Sequence, residues 1–153
     1  MNDTRIEEDR VRRHTAPKVN QRIDEEIRET VACYAQAGEN ELSQRIGALE
    51  AEWDIERVLE TNASSLALAG ILSAALGHRR GLLLAGGVMG FLLLHGTQGW
   101  CPPLPVLRRL GVRTRQEIER EKFVLKYLRG DFAGLGPAKG RQATRAVLAA
   151  AAR

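Results

Sequence analysis

At 153 residues the chain has room for one domain, or for one membrane unit with soluble flanks. Its net charge of +4 is unevenly spread: residues 1–60 carry nine Lys/Arg against fifteen Asp/Glu, residues 101–153 carry twelve against four, and only Arg79 and Arg80 lie between. An acidic arm, an apolar centre and a basic arm argue against a uniform globule, and no base-stacking aromatic series accompanies the basic arm, so nucleic acid is not expected as a partner.

The first twenty residues are charged and lack an apolar core, which excludes an ordinary secretory signal peptide and leaves any membrane insertion to an internal segment. Residues 1–19 include Pro17 and show no periodicity, so they are expected to be disordered. A helical arm is predicted over 20–60. Ile23, Ile27, Val31 and Tyr34 recur at helical spacing, Gly38 breaks that helix, and Asn40 is positioned to cap the next. There Leu42, Ile46, Leu49 and Trp53 form a narrow seam for one partner helix. No Gly or Pro follows before Gly70, so this second helix is free to run on as a rod.

Residues 61–99 predict a transmembrane helical hairpin. Thr61 to Gly77 holds seventeen residues without a charge, and Gly81 to Leu107 holds twenty-seven without Asp, Glu, Lys or Arg. The first span alone reaches only about 25 Å, against a hydrocarbon core of about 30 Å. It is expected to insert by packing its small-residue stripe, Ala63, Ala67, Gly70, Ala74 and Gly77, against Gly86 and Gly90 of the second span. His78, Arg79 and Arg80 make the turn. Arg45, Arg57, Arg108, Arg109, Arg113 and Arg115 flank the spans, which places both termini in the cytoplasm.

Residues 100–131 follow as an exit turn and an amphipathic helix. Pro102, Pro103 and Pro105 stop the second span, and Trp100 is placed as an interfacial anchor. Thr114-Arg115-Gln116-Glu117 is a capping box opening a helix with Ile118, Leu125 and Leu128 on its apolar side and Gly130 at its end. Residues 132–153 form a basic Gly/Ala-rich tail. The fold class is therefore all-α, a transmembrane hairpin with flanking amphipathic cytoplasmic helices.

Asp54-Ile55-Glu56-Arg57, two short Gly-rich apolar spans, and Cys101-Pro102 directly after the second span together resemble the YgaP-like two-helix inner-membrane domain. The resemblance covers roughly Asp54 to Gly111. It implies a bacterial inner-membrane protein of uncharacterised function whose hairpins dimerise. Some members carry a fused sulfurtransferase domain, whose active-site loop is not in this sequence.

Candidate chemistry is sparse. Cys101 is the candidate reactive thiol, a carrier of sulfur or redox equivalents; it follows a helix C-terminus, where the dipole disfavours a thiolate, and only Arg108 or Arg109 folding back would favour one. His95 is the candidate polar intramembrane residue. With Cys101 it supplies two ligands at most, so no metal and no cofactor are expected. Cys33 and Cys101 lie on segments of different character, which argues against a structural disulfide. Glu52, Asp54, Glu56 and Glu60 crowd the membrane entry beside Arg57 and read as a solvated face. The function expected is non-enzymatic: a membrane-anchored structural or interaction module, with the bilayer, a second copy or an unidentified protein as partner. The alternatives are the Cys101 thiol carrier and a soluble helical oligomer that buries the hairpin.

Overall fold

The computed structural model describes residues 9–133, and among them it is all-helical, with no strand. Residues 1–8 and 134–153, with most of the basic tail, lie outside that range. Among the described residues seven helices run in the order α1 (Arg10–Arg13), α2 (Pro17–Tyr34), α3 (Glu39–Ala51), α4 (Ile55–Ala75), α5 (Arg80–Gln98), α6 (Leu104–Arg109) and α7 (Arg115–Arg129). They divide into two units, residues 9–24 with 53–116 and residues 25–52 with 117–133.

The N-terminal segment departs from expectation. Residues 10–13 and 17–19 are helical rather than disordered. Asp9 caps α1, its carboxylate accepting from the Val11 and Arg12 amides at 2.9 and 3.4 Å. Pro17 opens α2 from its first position, where the missing N–H costs nothing and the fixed φ suits a helix. A bidentate pair from Arg12 to Asp24, at 3.1 and 2.7 Å, then ties α1 to α2.

In the first unit, Val11, Ile55, Leu59, Cys101 and Leu104 form one buried cluster, with Leu107 and Val112 packed against it. The expected continuous rod does not form: the chain is extended at Glu52 (ψ 136°), and Asp54 caps α4 by accepting from the Arg57 amide at 2.8 Å. The α4 helix ends in a Schellman motif, with Gly77 at φ 93°, its N–H bonded to Ala74 O and the His78 N–H to Ser73 O. Residues 76–79 then turn the chain into α5.

The α4 and α5 helices pack closely. Ala67 and Gly70 are buried and Ala63 and Ala74 half-buried, so the small side of α4 faces inward. The facing side of α5 is not the one expected. Gly86 and Gly90 look onto open space, and Gly81 and Ala85 make the contact instead. A Cβ on Gly70 would lie 2.6 Å from the Gly81 carbonyl oxygen, and one on Gly81 would overlap the Gly70 carbonyl. Backbone meets backbone here. The cause is register: the crossing lies close to the turn, which selects residues 81 and 85, one face over from 86 and 90.

In the second unit, Leu42, Ile46 and Leu49 of α3 pack against Ile118 and Leu125 of α7. Each side chain buried this way contributes about 1.5–3 kcal/mol. Trp53 does not continue the seam. It lies beyond the end of α3, 46% exposed, with the Arg57 guanidinium 4.4 Å above its ring. Gly38, not Asn40, caps α3, its N–H donating to the Glu41 carboxylate at 3.2 Å. Glu121 is fully buried and accepts from Nε and an Nη of Arg45 at 2.9 and 2.7 Å, and Arg129 forks onto Asp131 at 2.7 and 2.6 Å. The Asp131 pairing holds the Arg129 proton even more firmly than usual.

Candidate functional site

The residues of chemical interest gather where α4 and α5 meet α6. Gly99 ends α5 in the left-handed conformation (φ 76°), its N–H returning to His95 O at 2.7 Å. A Cβ there would come within 2.5 Å of Arg10 Cβ, so only glycine lets the N-terminal segment cross the end of α5. An Arg10 Nη donates to Gly96 O at 3.1 Å. His95 therefore sits one turn from the end of α5 and beside a charged segment.

His95 is 9% exposed, and its Nδ1 is buried without a hydrogen-bond partner in the described residues. Together with Cys101 it lines an apolar groove of about 450 Å³ bounded by Leu59, Leu66, Phe91 and Leu107. Trp100, 37% exposed, immediately precedes the lining residue Cys101 in the chain. Among the described residues no three His, Cys, Asp or Glu side chains come together to hold a metal.

Cys101 is 2% exposed. Burial pushes its thiol above the ordinary range, only partly offset by the Leu104 amide. Arg108 does not serve as the activating cation; its guanidinium binds Thr15 Oγ1, Asn20 Oδ1 and Val112 O at 3.0–3.2 Å. Cys33 is exposed. Maleimide at neutral pH is thus expected to label Cys33 promptly and Cys101 only when the pH rises or the fold opens. Equal rates at the two thiols in the folded protein would contradict this.

The carboxylates at the α4 entry are not all solvated. Burial raises the Glu56 carboxyl above the ordinary carboxylate range, and Asp54, Asp9 and Glu60 push the same way against its own backbone N–H. Glu56 Oε2 and Asp9 Oδ2 are both buried without hydrogen-bond partners in the described residues. Sequence spacing could not reveal Asp9, which arrives from the N-terminal segment. Because the folded carboxyl holds its proton more tightly than the unfolded one, stability falls as pH rises through the window between the two values. Thermal midpoints of the purified protein should therefore rise on acidification from neutrality toward that window. Glu56→Gln should raise the midpoint at neutral pH and flatten this dependence; an unchanged slope would remove Glu56 as its source.

No protein-family model matches the chain, and no curated protein and no solved structure matches it either. The site's chemistry must stand on its own geometry.

Proposed function

We propose that the chain is a small integral membrane protein of the bacterial inner membrane, whose α4–α5 hairpin spans the bilayer with both termini cytoplasmic, and that it acts as a non-enzymatic interaction module that self-associates. The observation that carries this is where the apolar surface lies. Among the described residues two helical stretches are long and apolar enough to cross a membrane, and only 17% of each apolar window is buried. Core helices of a soluble domain bury most of theirs. Leu68, Leu72, Leu76, Leu83 and Leu93 are each more than half exposed, an apolar patch beyond what a water-soluble monomer carries.

The apolar part of α4, residues 61–75, spans about 22 Å, so its insertion leans on backbone contact with α5. Gly86 and Gly90, without a neighbour within 4 Å among the described residues, present a small-residue face to lipid on which a second copy can pack. On α7, Phe123 and Tyr127 are 59% and 68% exposed and offer aromatic anchors to a protein partner. The resemblance of Asp54 to Gly111 to the two-helix inner-membrane domain enters this reading for its hairpin alone; no sulfurtransferase chemistry is taken from it.

Carbonate washing of membranes tests the placement. Protein that stays in the pellet until detergent is added supports it. Release into the wash would assign the same apolar faces to contacts between copies in a soluble oligomer. Self-association is tested by chemical cross-linking in membranes: Gly86→Leu with Gly90→Leu should abolish the dimer band while the protein stays membrane-bound. Undiminished cross-linking would remove this face as the contact.

A further inference from the structure

The groove beside His95 has features of a ligand site rather than of a packing defect. Its volume of about 450 Å³ falls within the range of small-molecule pockets, which are mostly apolar with a few placed polar groups. Its walls follow that pattern: Leu66, Phe91, Pro102 and Leu107 supply apolar surface, with Asn62 and His95 the polar exceptions. The His95 ring is nine-tenths buried with Nδ1 unpartnered, which is costly unless something hydrogen-bonds there.

The setting narrows the occupant. On the membrane reading above, on which this inference rests, the groove adjoins the end of α5 at the bilayer surface, so an apolar molecule dissolved in lipid reaches it most readily. The surrounding charges favour an uncharged head group. Glu60 and Arg10 both act electrostatically on His95, and Asp9, Asp54 and Glu56 surround the same end of α4. At that end of α4 four carboxylates outnumber Arg10 and Arg57, and Arg108, next to Leu107, is engaged by Thr15, Asn20 and Val112, which disfavours a fatty-acid carboxylate or a lipid phosphate. Phe91 and the imidazole are flat, which suits a ring, and the branched side chains of Leu66 and Leu107 suit an aliphatic tail. We propose that the groove binds the ring of a prenylated quinone or quinol from the bilayer, with His95 Nδ1 hydrogen-bonded to a ring oxygen. A neutral imidazole serves both forms, donating to a quinone carbonyl or accepting from a quinol hydroxyl. The site binds; no electron transfer is assigned to it.

The test uses the full chain in detergent micelles, with Trp53→Phe so that Trp100 alone reports, and decyl-benzoquinone as probe. Binding should quench Trp100 saturably. His95→Leu should weaken binding about tenfold, a loss of about 1.4 kcal/mol and the scale of one buried hydrogen bond. Asn62→Phe, at an exposed position on the groove wall, should block binding outright and decides the matter if His95→Leu fails to fold by circular dichroism. Palmitate should compete poorly. Non-saturating quenching equal in all variants would overturn the proposal, as would competition by palmitate at equal affinity, which assigns the groove to an acyl chain. A chain that resists carbonate yet shows either result loses only this inference; a chain released by carbonate loses the membrane reading itself.

Discussion

Gly81→Ala is expected to drive α4 and α5 apart, while Gly86→Ala, five residues on along the same helix, leaves them together. The added methyl at position 81 meets the Gly70 carbonyl, the Ala74 amide at 3.0 Å and Ser73 Cβ at 3.1 Å. Two of those three are backbone, so no rotamer change makes room and the helices themselves must shift. Overpacking of this kind costs about 1–3 kcal/mol, and the rigid neighbours put this site at the upper end. At position 86 nothing among the described residues lies within 4 Å, and alanine is the better helix former. Ala67 is 6% exposed on the inner side of α4, so Ala67→Cys, in a Cys33→Ser background, reports the separation directly. Maleimide labelling of that cysteine should rise sharply with Gly81→Ala and not at all with Gly86→Ala. Equal labelling in the two variants would mean that the helices are not held where Gly70 meets Gly81.

The two glycines also show where sequence reasoning reached and where it stopped. The small stripe on α4 could be read from spacing, because Ala63, Ala67, Gly70 and Ala74 share one face of any regular helix. Its partner face on α5 could not, because five glycines between residues 81 and 96 leave several faces equally small and only the turn geometry selects among them. The helix end at Gly130 was legible for the opposite reason, since signal and structure are neighbours in the chain, whereas Gly77, expected on the packing stripe, instead ends α4 with φ 93°. The α3 seam was legible as far as Leu49 and failed at Trp53, since no Gly or Pro marks the extended step at Glu52–Asp54. That step is set by the Asp54 cap and by the Ile55 amide, which donates to Arg113 O at 2.9 Å. Cys101 and His95 stood out as residue types, but the groove they share depends on α6 turning back beneath α4 and α5. The docking of α1 had no periodic signal, because one buried valine, Val11, and a set of polar contacts hold it.

Those polar contacts converge on Arg108, and Arg108→Ala is expected to release the N-terminal segment. Arg108 is fully buried and donates to Thr15 Oγ1 at 3.2 Å, Asn20 Oδ1 at 3.0 Å and Val112 O at 3.0 Å. Asn20 Nδ2 in turn donates to Arg12 O at 2.9 Å, so the guanidinium fixes both α1 and the start of α2. Removing it strips three acceptors of a donor, and each buried group left unsatisfied costs about 1–3 kcal/mol. Val11, 3% exposed against Cys101 and Leu104, offers too little apolar burial to hold the segment alone. Two measurements should move together. Trypsin should cut at Arg12, Arg13 or Lys18 far faster than in the unaltered chain, and Cys101, uncovered as Val11 leaves, should become reactive to maleimide at neutral pH. Arg108→Lys should rescue neither fully, because one ammonium cannot reproduce the directed fork that reaches three acceptors. If cleavage and Cys101 labelling both stay at their original rates in Arg108→Ala, the segment is held by something other than this arginine.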